Sequence, residues 1–168
     1  IRDRYGSRGL GDVYKRQFID MPAALSYPMN LKKYNWGYRT EPEPNLYGRS
    51  LICPRGKGLG GSSSINGMIY VRGHPQDFDN WSTKGASSWS FADVLPYFKK
   101  MECCESRQSA WRGKNGPMRI KTAEQKNVLH KVFSDAAIQC GYSLTEDYNG
   151  YKQEGIGAAE MTVYKGKR

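Results

Sequence analysis

A chain of 168 residues is long enough to bury a core, and its four cysteines (Cys53, Cys103, Cys104, Cys140) lack the paired spacing of a zinc site or a disulfide scaffold. The net charge of +10 would suit a nucleic-acid partner, but five basic residues (Arg2, Arg4, Arg8, Lys15, Arg16) stand against Asp3 and Asp12 in the first 17 residues, a surplus of three. The remaining +7 is spread over short pairs such as Lys32-Lys33 and Lys99-Lys100, with no basic helix carrying interleaved aromatics, which argues against nucleic-acid binding. No run of about 18 apolar residues is present to span a membrane. The cysteines read as reduced thiols of a cytosolic-side protein.

Residues 1–17 have no apolar period. Asp12-Val13-Tyr14-Lys15-Arg16-Gln17 resembles the translation of a transposase adapter used in sequencing libraries, so the segment reads as a scar, with a divergent N-terminal arm as the alternative. Fold reasoning therefore begins at Phe18. Residues 18–28, bracketed by Pro22 and Pro28, predict a turn of helix and a loop. Residues 34–41 (YNWGYRTE) alternate large and small side chains and predict a short strand, ended by Pro42 and Pro44. Its aromatics, Trp36 among them, suit either a core or the wall of a ligand site.

Residues 54–73, PRGKGLGGSSSINGMIYVRG, follow the apolar triplet Leu51-Ile52-Cys53 and form the most informative stretch. Gly56, Gly58, Gly60 and Gly61 permit backbone conformations and close approaches that a Cβ forbids. Ser62, Ser63 or Ser64 can cap a helix that Ile65, Met68 and Ile69 make apolar on one side. A glycine bend opening a helix is either a plain structural turn or an anion site, since its free N–H groups and positive dipole end face outward. Arg55 and Lys57 add positive charge beside it.

Beyond the bend, Gly73-His74-Pro75 breaks the chain, and residues 76–81 predict a short helix with Phe78 and Trp81 on one face. His74 reads as a loop residue rather than a catalyst. Ser90 and Asp93 form a capping-box-like start for a helix carrying Val94, Leu95, Phe98 and Met101, although Pro96 inside it removes a donor. Residues 102–115 read as a polar loop, punctuated by Gly116-Pro117 before a short strand over 118–120. The clearest helix is 128–140, where Val128, Leu129, Val132, Phe133, Ala136, Ala137 and Cys140 make one apolar stripe between an Asn127 cap and a Gly141 stop. His130 faces away from that stripe as a surface residue. Residues 145–157 read as loop, and Glu146, Asp147 and Glu154 lack the ligand spacing of a calcium site. A closing strand is expected over 160–164.

The order Gly56-Lys57-x-Leu59-Gly60-Gly61-Ser62-Ser63-x-Ile65-Asn66-x-x-x-Tyr70-x-x-Gly73, with Asp79 following, resembles the first signature of the glucose–methanol–choline (GMC) flavoprotein oxidoreductases. YNWGYRTEPEP, WSFADVLPYFKK and GYSLTEDYNGYKQEGIG extend the likeness over residues 21–168 and resemble the choline-oxidising branch most.

The resemblance implies an α/β class, as a mixed α+β fragment: part of a GMC-type FAD-binding domain (residues 18–168) with the start of the substrate domain, lacking the N-terminal Rossmann βαβ unit and its G-x-G-x-x-G. It implies FAD as cofactor, contacted by Trp36, Arg55, Gly60, Gly61, Ser62, Asn66, Gly67 and the backbone near Ile69. Some relatives attach FAD through a histidine at the position of Ile65, so non-covalent FAD is implied here. The parent enzyme would oxidise choline to betaine aldehyde and on to glycine betaine, with another alcohol of the same family chemistry as the alternative. A non-enzymatic phosphate-binding module is the third reading.

No residue is assigned as catalytic, because the family's histidine base has no counterpart in the sequence. Such an enzyme would pass electrons to a quinone or other acceptor. It would sit at the cytoplasmic side of the inner membrane, by peripheral association, or in mitochondria if eukaryotic.

Overall fold

The computed structural model describes residues 17–107 and 109–168, which divide into two compact units. The question of residues 1–17 as a scar falls, but for Gln17, outside the described residues.

The first unit holds residues 17–68 and 165–168. A helical turn over residues 17–20 leads through a 3₁₀ turn, Pro22–Ala24, into helix α1 (Ser26–Asn30). Proline near the start of each suits positions whose N–H would go unpaired. Strand β1 (Tyr38–Arg39) pairs antiparallel with β2 (Ile52–Cys53), in register Tyr38 to Cys53. The strand expected over 34–41 is thus only two residues long, with an isolated bridge from Asn35 to Gly56 continuing the pairing. Pro28, Ile65 and Met68 are the unit's most buried apolar side chains.

The helix expected after the glycine bend does not form. Only a 3₁₀ turn, Gly61–Ser64, is present, and the backbone leaves helical geometry at Ile65 (φ −132°, ψ 2°). Serine chemistry explains the stop: the Ser63 and Ser64 hydroxyls donate back to the Gly60 and Leu59 carbonyls at 2.6 and 3.3 Å. Such local bonds compete with a helical ladder. Asn66 Oδ1 then accepts the Met68 N–H at 3.1 Å, while Met68 takes a left-handed φ of 60°. A turn this short has no appreciable macrodipole, so the dipole argument for an anion site falls away.

The second unit spans Ile69–Tyr164. Helix α2 (Pro75–Thr83) starts on a capping box in which His74 accepts the Gln76 N–H and Asp77 reaches back to the His74 N–H. His74 therefore has a structural use. Helix α3 (Phe91–Met101) starts on the expected Ser90/Asp93 box and runs through Pro96. The two helices meet through Phe78, whose ring lies 5.3 Å from Trp81 and 5.6 Å from Phe98, both edge-on.

From α3 the chain passes directly into strand β3 (Glu102–Cys104), which runs parallel to β4 (Met118–Thr122). Helix α4 (Val128–Gln139) begins on the Asn127 cap. Strand β5 (Glu160–Met161) closes the sheet antiparallel to β4, giving the order β3-β4-β5. Ile69 bridges to Met161. Tyr70, Cys104 and Ile120 form the buried apolar core, with Met101 and Met118 packed against it.

Residues 102–115 are the clearest departure from the sequence reading. Far from being a polar loop, they open with three consecutive buried residues in a strand. The mixed α/β character stands, while the apolar stripe of α4 buries only Ala137 and leaves Leu129 and Phe133 69% and 64% exposed. No described helix is long and apolar enough to cross a membrane.

Candidate functional site

Asn35 is the hub of the glycine loop. Its side chain is buried; Nδ2 donates to the Met29 carbonyl at 2.7 Å, and Oδ1 accepts the N–H groups of Gly37 and Arg55, both at 3.0 Å. On either side, Trp36 N–H donates to the Arg55 carbonyl and Lys57 N–H to the Tyr34 carbonyl. The aromatic segment and the loop are thereby one ladder. The sequence signal for this was absent, since an asparagine beside Trp36 has no distinguishing neighbour.

Gly56 is required by packing. A Cβ there would stand 1.9 Å from the Gly61 carbonyl oxygen and 2.7 Å from the Ser62 nitrogen. Its N–H also donates to Ser62 Oγ at 3.1 Å. The crowding is within the loop itself, so Gly56 shapes the bend. Gly61 is different: its φ is 51°, and a Cβ there would meet nothing within 4 Å. Gly58 and Gly67 likewise face open space.

Trp36 is 54% exposed, which sets aside its core reading. It stacks on Tyr38 at 6.4 Å and 10°, and Lys57 Nζ stands 4.7 Å over its ring. Arg55 is exposed, with Nη1 on the Pro54 carbonyl at 2.8 Å. Contacts therefore link Trp36 to Arg55, the loop to Ser62, and, through Arg168, Ser63 to Asn66. Ile69 belongs to the second unit, where it is half exposed beside an open groove of about 490 Å³ shared with Val71, Arg72 and Tyr148. Ile65, where the resemblance implies covalent attachment in some relatives, is a buried aliphatic residue.

The second unit contains a charge network that sequence reasoning missed. Arg112 donates from Nε to Glu102 at 2.9 Å, from Nη1 to Asp147 at 2.6 Å and from Nη2 to Glu160 at 2.8 Å. Arg72 Nη2 lies 2.8 Å from Glu102, and its Nη1 donates to the Trp111 carbonyl. Asn149 accepts the Arg72 N–H and donates to Glu160. Burial alone would push Glu102 up, but the Arg112 hydrogen bond, the Gly113 N–H and the charges of Arg112 and Arg72 hold it below the usual carboxylate range. Burial would lower Arg112, yet Glu160 and Glu102 hold it above its ordinary value. With every carboxylate spent on an arginine, this is a scaffold. Among the described residues, no group of three or more acidic, His or Cys side chains is placed to hold a metal ion.

An exposed indole to stack on, the Lys57 ammonium over it, an exposed Arg55 guanidinium on the segment paired with it, and glycines opening onto free space fit a planar ring system carrying phosphate. A family model described as GMC oxidoreductase matches residues 24–168, and the chain belongs to that family. Among curated proteins it is 57% identical over 150 residues to an oxygen-dependent choline dehydrogenase of Brucella anthropi, covering 89% of this chain and 27% of that protein. A protein of the same name from Rhizobium etli is 55% identical, with 90% and 28% covered. Among solved structures it resembles pyridoxine 4-oxidase from Mesorbium loti, with TM-score 0.83, 31% identity, and 89% and 30% covered. A formate oxidase variant of Aspergillus oryzae RIB40, studied for FAD modification, gives TM-score 0.77 and 30% identity, with 89% and 28% covered. The chain spans about a quarter of the length of the curated relatives it matches.

Proposed function

We propose that this chain is the flavin-contacting part of an FAD-dependent GMC oxidoreductase that oxidises choline to betaine aldehyde and then to glycine betaine. The observation that carries the reading is 54–57% identity, along nine-tenths of the chain, to relatives named oxygen-dependent choline dehydrogenase. Bound FAD would supply the hydride acceptor. Trp36 would pack against the cofactor, Arg55 would neutralise phosphate charge, the open faces of Gly61 and Gly67 would allow close approach, and Gly60, Ser62, Asn66 and, on the sequence resemblance alone, Ile69 would add backbone contacts. The buried Ile65 side chain offers no nucleophile, which supports non-covalent binding.

A quaternary ammonium is recognised by aromatic faces and a carboxylate. Lys57 already occupies a face of Trp36, so the choline cation is not assigned to that ring. The acceptor is oxygen on the wording of the relatives' names and a quinone on the resemblance of the sequence. Peripheral attachment at the cytoplasmic side of the inner membrane follows from the quinone alternative.

The test compares choline with its uncharged isostere 3,3-dimethylbutanol on the full-length protein, with an oxygen electrode and a reducible dye in parallel. Faster turnover of choline supports the reading. Equal rates would mean that no cation site exists, and would favour another alcohol, as the likeness to pyridoxine 4-oxidase allows.

A further inference from the structure

Arg168 stands far from the glycine loop in sequence and is packed against it in the first unit. Its Nη1 lies within hydrogen-bond distance of three oxygens: the Ser63 carbonyl at 3.0 Å, the Asn66 carbonyl at 2.8 Å and Asn66 Oδ1 at 3.0 Å. Nε donates to the Ile19 carbonyl at 3.1 Å, and the backbone N–H donates to the Asp20 carbonyl at 3.0 Å. Nη2 is buried without a hydrogen-bond partner among the described residues. One cation therefore ties the N-terminal helical turn to both ends of residues 63–66.

The consequence falls on the Asn66 amide. Its Oδ1 is engaged twice, by Arg168 Nη1 and by the Met68 N–H. An amide whose oxygen is engaged by two donors cannot flip, because the flip would set its NH₂ against both. Asn66 is exposed, and Nδ2 has no partner among the described residues. The amide is thus held with its oxygen inward and its two donors available.

Resting on the proposed function above, we infer that Arg168 is a positioning residue for the flavin site: it locks Asn66 as a hydrogen-bond donor and fixes the 60–67 backbone against which the cofactor lies. The role is indirect, since Arg168 acts through Asn66 and Ser63 rather than by touching the reacting atoms. A lysine at this position keeps the charge but loses the fork that reaches several carbonyls at once.

The test uses Arg168→Gln and Arg168→Lys in the full-length protein. Three quantities are read: the dissociation constant for FAD, the visible absorption spectrum of bound flavin, and hydrogen exchange of the 60–68 amides in the apoprotein. Arg168→Gln should weaken FAD by about tenfold or more, the scale of one lost charge-assisted contact, shift the flavin spectrum, and speed exchange across 60–68. Arg168→Lys should fall between the two, and it carries the test where the glutamine variant does not fold. A lower melting temperature with wild-type FAD affinity and spectrum would show a merely structural residue and overturn the inference, as would unchanged exchange. Wild-type protein that binds no flavin would overturn the functional reading instead, and the exchange measurement would still decide whether Arg168 fixes the loop.

Discussion

Arg112 donates from Nε to Glu102 Oε1 at 2.9 Å with neither side chain exposed to solvent; Glu102 opens β3, and Arg112 lies in the connection that leads to its parallel partner β4. Taking both charges out of water is costly, and the cost is offset only because further hydrogen bonds engage both groups. Glu102 accepts the Gly113 N–H at 2.7 Å, and Arg112 reaches Glu160 and Asp147. Arg112 thereby gathers β3, β5 and the 145–157 loop around one guanidinium.

Removing one partner leaves the others buried and uncompensated. Arg112→Met should destabilise the protein by about 3–5 kcal/mol, read as a fall in the urea midpoint of the full-length enzyme. A change under about 1 kcal/mol would mean that water enters the site and solvates the carboxylates.

The same network sets an acid limit. Glu102 is held below its ordinary 4.5 in the folded state, so the unfolded chain takes up its proton first as pH falls. Its contribution is fully present above about pH 4.5 and is lost as pH drops toward the lower folded value. Unfolding followed between pH 6 and pH 3 should steepen below that point, and Glu102→Gln should flatten the steepening while lowering stability at neutral pH.

Two glycines of the bend separate loop shape from cofactor contact. Gly56→Ala puts a methyl 1.9 Å from the Gly61 carbonyl oxygen, a backbone atom that cannot swing aside. The loop should rearrange and flavin should be lost. Gly61→Asp meets no protein atom within 4 Å at a left-handed φ of 51°, which aspartate tolerates better than most residues. It should leave the melting temperature within a few degrees and still cost several kcal/mol of FAD binding, through lost approach and repulsion of phosphate. A Gly61→Asp enzyme that keeps its flavin through gel filtration would show that this face of the bend does not meet the cofactor.

Trp36 supplies a third contrast. Because it is 54% exposed, Trp36→Leu should change stability by less than about 1 kcal/mol. Flavin affinity should fall by several-fold, and the loss should be visible in a titration of apoprotein with FAD. Equal affinity in the two proteins would assign the indole to the Lys57 contact alone.

The apolar stripe of α4 bears on how the chain behaves by itself. With Val128, Leu129, Val132 and Phe133 all more than half exposed, the isolated chain should bind a hydrophobic dye and self-associate. Leu129→Glu with Phe133→Glu should suppress both without lowering helix content, as measured by far-ultraviolet circular dichroism.

Local chemistry alone determined much of this protein. The Ser90/Asp93 box, the Asn127 cap and the Phe78/Trp81 face were legible because capping and helical periodicity act within four residues. The family was legible because the glycine, serine and asparagine order from Gly56 to Gly73 is long and specific. Tertiary structure decided the rest. Glu102 and Arg112 look like surface charges in a polar stretch, and only their convergence with Glu160 and the half-buried Asp147 makes them interior. Three serines after a glycine bend predict a helix, but hydroxyls returning to Gly60 and Leu59 and an Arg168 clamp on Ser63 and Asn66 arrest it after one turn. A side chain 102 positions away cannot be read from local propensity, because the energy that selects the turn over the helix exists only once the chain has brought the two together.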